Sequence, residues 1–134
     1  MEIDWPALRD AAREALSRAY CPYSGFPVGA AGLVDDGRII TGCNVENAAY
    51  GNTLCAECGL VSALHGPGKS DAPRLVAVVV VDRNGDTLMP CGRCRQLLWE
   101  HGGATMLIET TTGILPMSAV LPDAFGPDDL VKRA

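Results

Sequence analysis

Apolar residues recur at helical spacing in the first segment of the chain. Trp5, Leu8, Ala12, Ala15, Leu16 and Ala19 share one face, which predicts an amphipathic helix over residues 4–20. Asp4 suits the N-cap, Pro6 sits in the first turn where its missing N–H costs nothing, and Pro22 ends the helix. Two short apolar runs, 28–34 and 38–43, flank Asp35-Asp36-Gly37 and read as an antiparallel hairpin. Residues 44–53 are polar and irregular. A helix is predicted over 55–65, with Leu60, Val61 and Leu64 on its apolar face and Gly66 as its stop. The unbroken Leu/Val/Ala character of 74–81 suits a strand covered on both faces.

After a turn at Asn84-Gly85, Pro90 introduces a helix from 91 to about 101, closed by Gly102-Gly103. A strand at 105–109 and a weaker one at 114–115 surround Thr111-Thr112-Gly113, a gap short enough to make the last strand antiparallel. The tail beyond Met117 predicts only a final helical turn. Strand–helix–strand twice over, opened by a hairpin, predicts an α/β fold. Its form is a three-layer α/β/α domain around a mixed five-stranded sheet.

Length and charge narrow this picture. At 134 residues, a single domain spanning 1–134 is expected. Such a chain folds to about 6,700 Å² from about 20,000 Å² unfolded, enough for a core without staples. With 48% hydrophobic and 20% charged residues, the chain is globular rather than disordered. The longest unbroken apolar run, residues 75–81, is far short of a membrane span. The opening Met1-Glu2-Ile3-Asp4-Trp5 lacks the basic and apolar regions of a secretory leader, so the expected location is the cytoplasm. Eleven Lys+Arg against sixteen Asp+Glu give a net charge of −5. The only basic pair is Lys132-Arg133, which disfavours a nucleic-acid partner.

Six cysteines in such a chain call for metal rather than disulfides. Cys55-Ala56-Glu57 opens one predicted helix and Pro90-Cys91-Gly92-Arg93-Cys94 opens the next. Side chains at a helix start lean beyond its end, so Cys91 and Cys94 can close on one ion, with Cys55 reaching it from the neighbouring helix. Both helix dipoles favour thiolate there. Three protein ligands leave a fourth tetrahedral position for water, as in catalytic zinc sites. Glu57, two residues after a ligand, can serve that water as a base without binding the metal.

Two other readings use the same cysteines. Cys55, Cys58, Cys91 and Cys94 could form a closed structural site, although 32 residues separate the pairs, against the roughly 15–20 usual there. Cys91 and Cys94 could form a redox pair, which leaves Cys55 and Glu57 idle. Cys58 stands open between ligand and buried neighbour. Cys21 and Cys43 read as small buried apolar residues.

The Cys-x-Glu and Pro-Cys-x-x-Cys pair is the known zinc-deaminase signature. The chain resembles the small, homotetrameric, zinc-dependent cytidine deaminases over nearly its whole length. The resemblance is carried by Pro22-Tyr23-Ser24-Gly25-Phe26-Pro27-Val28-Gly29-Ala30-Ala31 and by Gly42-Cys43-Asn44-Val45-Glu46-Asn47-Ala48-Ala49-Tyr50. Cys55-Ala56-Glu57, Pro90-Cys91-Gly92-Arg93-Cys94-Arg95-Gln96 and Leu121-Pro122-Asp123-Ala124-Phe125-Gly126 complete it. It implies one Zn²⁺ per subunit on Cys55, Cys91 and Cys94, with Glu57 as the catalytic residue. The implied reaction is hydrolytic deamination of cytidine and deoxycytidine, in pyrimidine salvage.

The same resemblance implies that Phe26 stacks on the base, Asn44 and Glu46 bind the ribose, and the Ala56 backbone reads the base edge. Phe125 would reach into a neighbouring subunit's site, with Tyr50 at a subunit boundary. An antiparallel last strand suits a nucleoside substrate, whereas polynucleotide-acting relatives would run it parallel. Many members carry Arg immediately after the catalytic Glu, where this chain has Cys58. Three thiolates on Zn²⁺ carry a net negative charge. The helix N-termini, with Arg95 or Arg93, are the candidates to offset it.

Overall fold

Asp4 caps the first helix as its sequence position requires. Its Oδ1 accepts the Ala7 N–H at 3.1 Å, and helix α1 runs Trp5–Leu16. The helix stops short of the predicted residue 20. Ser17 folds its hydroxyl onto the Glu14 carbonyl at 2.7 Å, and the Tyr20 N–H leaves to bond the Asn44 carbonyl at 3.0 Å. Tyr20 thereby joins a bridge to Val45, a tertiary pairing that local periodicity cannot register.

The computed structural model describes residues 2–133. Strands β1 (Gly29–Val34) and β2 (Ile39–Cys43) form the expected hairpin, with Gly29 opposite Cys43 and Leu33 opposite Ile39. Its turn uses Gly37 at φ +94°, a conformation that costs a side-chain-bearing residue but not glycine. Strand β3 (Leu75–Val81) lies antiparallel to β1 and parallel to β4 (Leu107–Thr110), and β5 (Gly113–Pro116) returns antiparallel to β4. The sheet order is β2-β1-β3-β4-β5. Strand β4 begins two residues later than predicted, because Ala104 and Thr105 are spent in the turn that leaves the preceding helix.

Helices α2 (Ala56–Leu64) and α3 (Gly92–Gly102) cover one face of the sheet, and α1 covers the other. The period of two along the central strands divides the core. Val78 and Val80 join Leu60, Leu64 and Leu98, while Ala77, Val79 and Val81 join Leu8 and Ala12. The continuous apolar run of β3 is therefore explained by cover on both sides. The tail is more helical than predicted. It forms α4 (Met117–Val120), whose Met117 and Val120 enter the core, and α5 (Pro127–Arg133). Among the described residues no helix is long and apolar enough to cross a membrane.

The helices that carry the cysteines are anchored at their far ends by arginines. Arg38 donates to the Leu64 and Pro67 carbonyls, each at 3.1 Å, at the C-terminus of α2. Asp36 holds its Nε at 2.9 Å. Arg74 donates to the Glu100 carbonyl of α3 at 2.9 Å. A cation at the negative end of a helix dipole, bonded to unpaired carbonyls, is stabilising. Arg38→Met should cost about 1–2 kcal/mol. In urea this appears as a lower midpoint with an unchanged slope.

Candidate active site

The N-termini of α2 and α3 converge. Cys55 is the N-cap of α2 and Cys91 the N-cap of α3, both in extended backbone, while Cys94 lies in the first turn of α3. Their three sulfurs lie within 4.8 Å of one another. A tetrahedral zinc with Zn–S bonds of about 2.3 Å sets its sulfurs about 3.8 Å apart, so a slight contraction seats the ion. The sulfurs of Cys55, Cys91 and Cys94 form the one such cluster among the described residues, and it includes neither Cys58 nor Glu57. This geometry disfavours the closed four-thiolate reading. Cys21 and Cys43 are half-buried rather than enclosed.

The charges around the cluster explain why it suits a cation. The amides of Cys94 and then Arg93, at the start of α3, hold the Cys91 thiol below the usual thiol range against the opposing effect of burial. Burial pushes the Cys55 thiol up, and neighbouring Cys91 and Glu57 add to it. Cys94, fully enclosed, is pushed far higher by burial and by the charges of Glu57 and Cys55. Glu57 is only 4% exposed, and burial raises its carboxyl above the ordinary range. Cys55, Glu57 and Cys94 thus resist ionising together, while Cys91, exposed at the helix start, ionises more readily. A divalent cation supplies the missing counter-charge, so the donor set fits zinc.

Local sequence dictates this placement. The Pro90 carbonyl receives Arg95 Nε at 2.8 Å, and Arg95 Nη1 reaches the Val120 carbonyl at 3.1 Å. Arg95 thus braces the chain entering α3, while Arg93 is exposed. The residues before Pro90 double back along β3, where the Leu88 N–H bonds the Val80 carbonyl at 2.9 Å, so that Leu88 and Met89 line the site.

Above the sulfurs opens a cleft of about 370 Å³. The sequence profile of the cytidine and deoxycytidylate deaminase zinc-binding region matches residues 5–110. The chain belongs to this deaminase family. A cytidine deaminase from Mycobacterium tuberculosis is 57% identical over 132 residues, covering 98% of this chain and 97% of that protein. The cytidine deaminase of Sporosarcina psychrophila is 40% identical, covering 91% of each chain. The crystal structure of the Mycobacterium tuberculosis enzyme superposes with a TM-score of 0.86 at 56% identity, covering 93% of this chain and 99% of that one.

In this deaminase the cleft brings together Phe26, Asn44, Glu46, Tyr50, Ala56 and Glu57 with the three cysteines. Asn44 and Glu46 are buried, at 8% and 6% exposure, and so do not form an ordinary solvated turn. Phe26 is 52% exposed at the mouth, which rules out a core plug. Phe125 is not part of the cleft. It sits exposed beside Asp123 and Asp129, with its carbonyl held by Gln96 Nε2 at 2.7 Å.

Sequence reasoning assigned no role to Ser24, Val28, Thr53, Leu88 or Met89, which also line the cleft of this deaminase. Ser24 and Val28 fall inside a motif block already singled out. Leu88 and Met89 immediately precede Pro90, and that adjacency was the available signal.

Proposed function

We propose that this chain catalyses the hydrolytic deamination of cytidine and deoxycytidine to uridine and deoxyuridine with release of ammonia, in pyrimidine salvage. The observation that carries the reading is the three-sulfur cluster beside a buried Glu57 at the base of a cleft lined by Phe26, Asn44 and Glu46.

Zinc held by Cys55, Cys91 and Cys94 would supply Lewis acidity, lowering the pKa of bound water to about 7. Glu57 takes a proton from the attacking water and delivers it to N3 of the ring, then takes the proton of the hydroxyl added at C4 and passes it to the departing 4-amino group. Its burial supports this role, because a carboxyl raised toward neutrality both accepts and returns a proton. Phe26 stacks on the pyrimidine, the Ala56 backbone meets the base edge, and Asn44 and Glu46 bind the ribose hydroxyls. A site built on such hydrogen bonds discriminates against a free base, which leaves them unpaired.

The range 1–134 acts as one catalytic domain, supported by core clusters on both faces of a single sheet. The working assembly is a homotetramer with shared sites. The exposed rings of Tyr50 and Phe125, with Leu130 on α5, support an interface. Six free cysteines suit a reducing, cytoplasmic location. The antiparallel β5 and the net charge of −5 favour a nucleoside over a polynucleotide.

The test is turnover of cytidine, deoxycytidine, cytidine monophosphate and single-stranded DNA, before and after chelation. Nucleoside activity should fall to background on chelation and return with zinc. Cys58→Ala should keep both zinc and turnover. Preference for a phosphorylated or polymeric substrate overturns the reading of the cleft, and zinc loss in Cys58→Ala overturns the three-ligand site.

A further inference from the structure

The exposed ring of Phe26 has little packing to fix its direction, so its aim must come from the backbone that carries it. Both polar groups of that backbone are held by side chains. Asn44 Nδ2 donates to the Phe26 carbonyl at 2.8 Å, while Asn44 Oδ1 accepts the Val28 N–H at 2.8 Å. On the other side, the Phe26 N–H is accepted by Ser24 Oγ at 3.0 Å. The Ser24 hydroxyl in turn donates to Glu46 Oε2. Glu46 Oε1 accepts the N–H groups of Tyr23 at 2.9 Å and Ser24 at 3.1 Å.

We propose that Ser24 is a positioning residue that ties Phe26 to Glu46, so that the aim of the stacking ring and the sugar-binding carboxylate are set by one network. This rests on the roles given above to Phe26 and Glu46. Acceptor capacity permits it. A carboxylate offers about four lone-pair sites. The protein fills two on Oε1 and one on Oε2, leaving one on Oε2 for a ribose hydroxyl. The Ser24 hydroxyl bond, aided by the two amides and opposed by burial, holds the Glu46 carboxyl below its ordinary range. Ser24 thus acts through its neighbours, holding an acceptor ionised on one side and a backbone amide in place on the other.

The test uses the zinc-loaded protein. Ser24→Ala should raise KM for cytidine about tenfold with kcat nearly unchanged, the scale of one lost charge-assisted hydrogen bond. Ser24→Thr, which keeps the hydroxyl, should restore KM to within about threefold. In a Phe26→Ala background, Ser24→Ala should cost clearly less than about tenfold, because one of the two groups it holds is gone while its bond to Glu46 remains. Full additivity in that cycle, or an equal loss in Ser24→Thr, overturns the proposal. Amide exchange at Phe26 needs no turnover and is read in parallel. Faster exchange in Ser24→Ala but not in Ser24→Thr supports the linkage even if cytidine proves not to be the substrate, and an unchanged rate in Ser24→Ala overturns it.

Discussion

Glu57→Gln should lower kcat for cytidine by roughly 10³-fold, within the range for loss of a positioned proton carrier. It should leave one zinc per chain. The two halves of this result come from different features of the site. The Glu57 carboxylate lies outside the group of ligand atoms formed by the three sulfurs, so the metal should be held without it. Its burial at the start of α2, beside Cys55, sets it next to the three-sulfur cluster, where an amide of the same shape fills the space but cannot take a proton. Substrate binding should change little, because Phe26, Asn44 and Glu46 are untouched. Rapid-mixing kinetics together with metal analysis of the same sample check both halves. Zinc lost in proportion to activity would make Glu57 a ligand and the mechanism wrong.

Gly42→Ala should unfold the site from a position that touches no substrate. A Cβ there would stand 2.2 Å from the Ala56 carbonyl oxygen and 2.5 Å from the Leu60 amide nitrogen, both backbone atoms of α2 that cannot turn aside. The helix must lift from β2, and Cys55, Ala56 and Glu57 at its start should move with it. Overpacking of this kind costs about 3 kcal/mol. In a chain of this size it lowers the melting temperature by roughly 10 °C. Zinc retention should fall with it. Gly51→Ala is the control, since nothing lies within 4 Å of its added carbon. Thermal unfolding and metal content of the two variants separate close helix–strand contact from a general intolerance of alanine.

The residues that order the chain locally were readable from sequence. Asp4 and Pro6 mark the start of α1, Asp35-Asp36-Gly37 the hairpin, and the valines of 75–81 a strand covered on both sides. The zinc cluster was legible for the same reason, since Cys55, Cys91 and Cys94 each sit where a helix begins. What sequence did not register depends on tertiary partners. Helix α1 ends early because Tyr20 is drawn to Asn44 and Val45, and β4 starts late because its lead-in turns back from α3. Leu88 and Met89 line the cleft only because the chain folds back along β3. Ser24 lay in plain view within a motif. Its work became visible only once Glu46 and Phe26 were seen to share its hydroxyl.

Cys55 and Cys91 are 36 positions apart and meet only when β3, which lies between their helices in the chain, has taken its place in the sheet beneath both. An unfolded chain offers the ion no comparable seat, so metal occupancy and the native state are linked equilibria. Each tenfold rise in free zinc above the dissociation constant adds about 1.4 kcal/mol to the unfolding free energy. The melting temperature of this protein is therefore a property of its buffer as well as of its sequence, and comparing two variants is meaningful only at matched zinc activity.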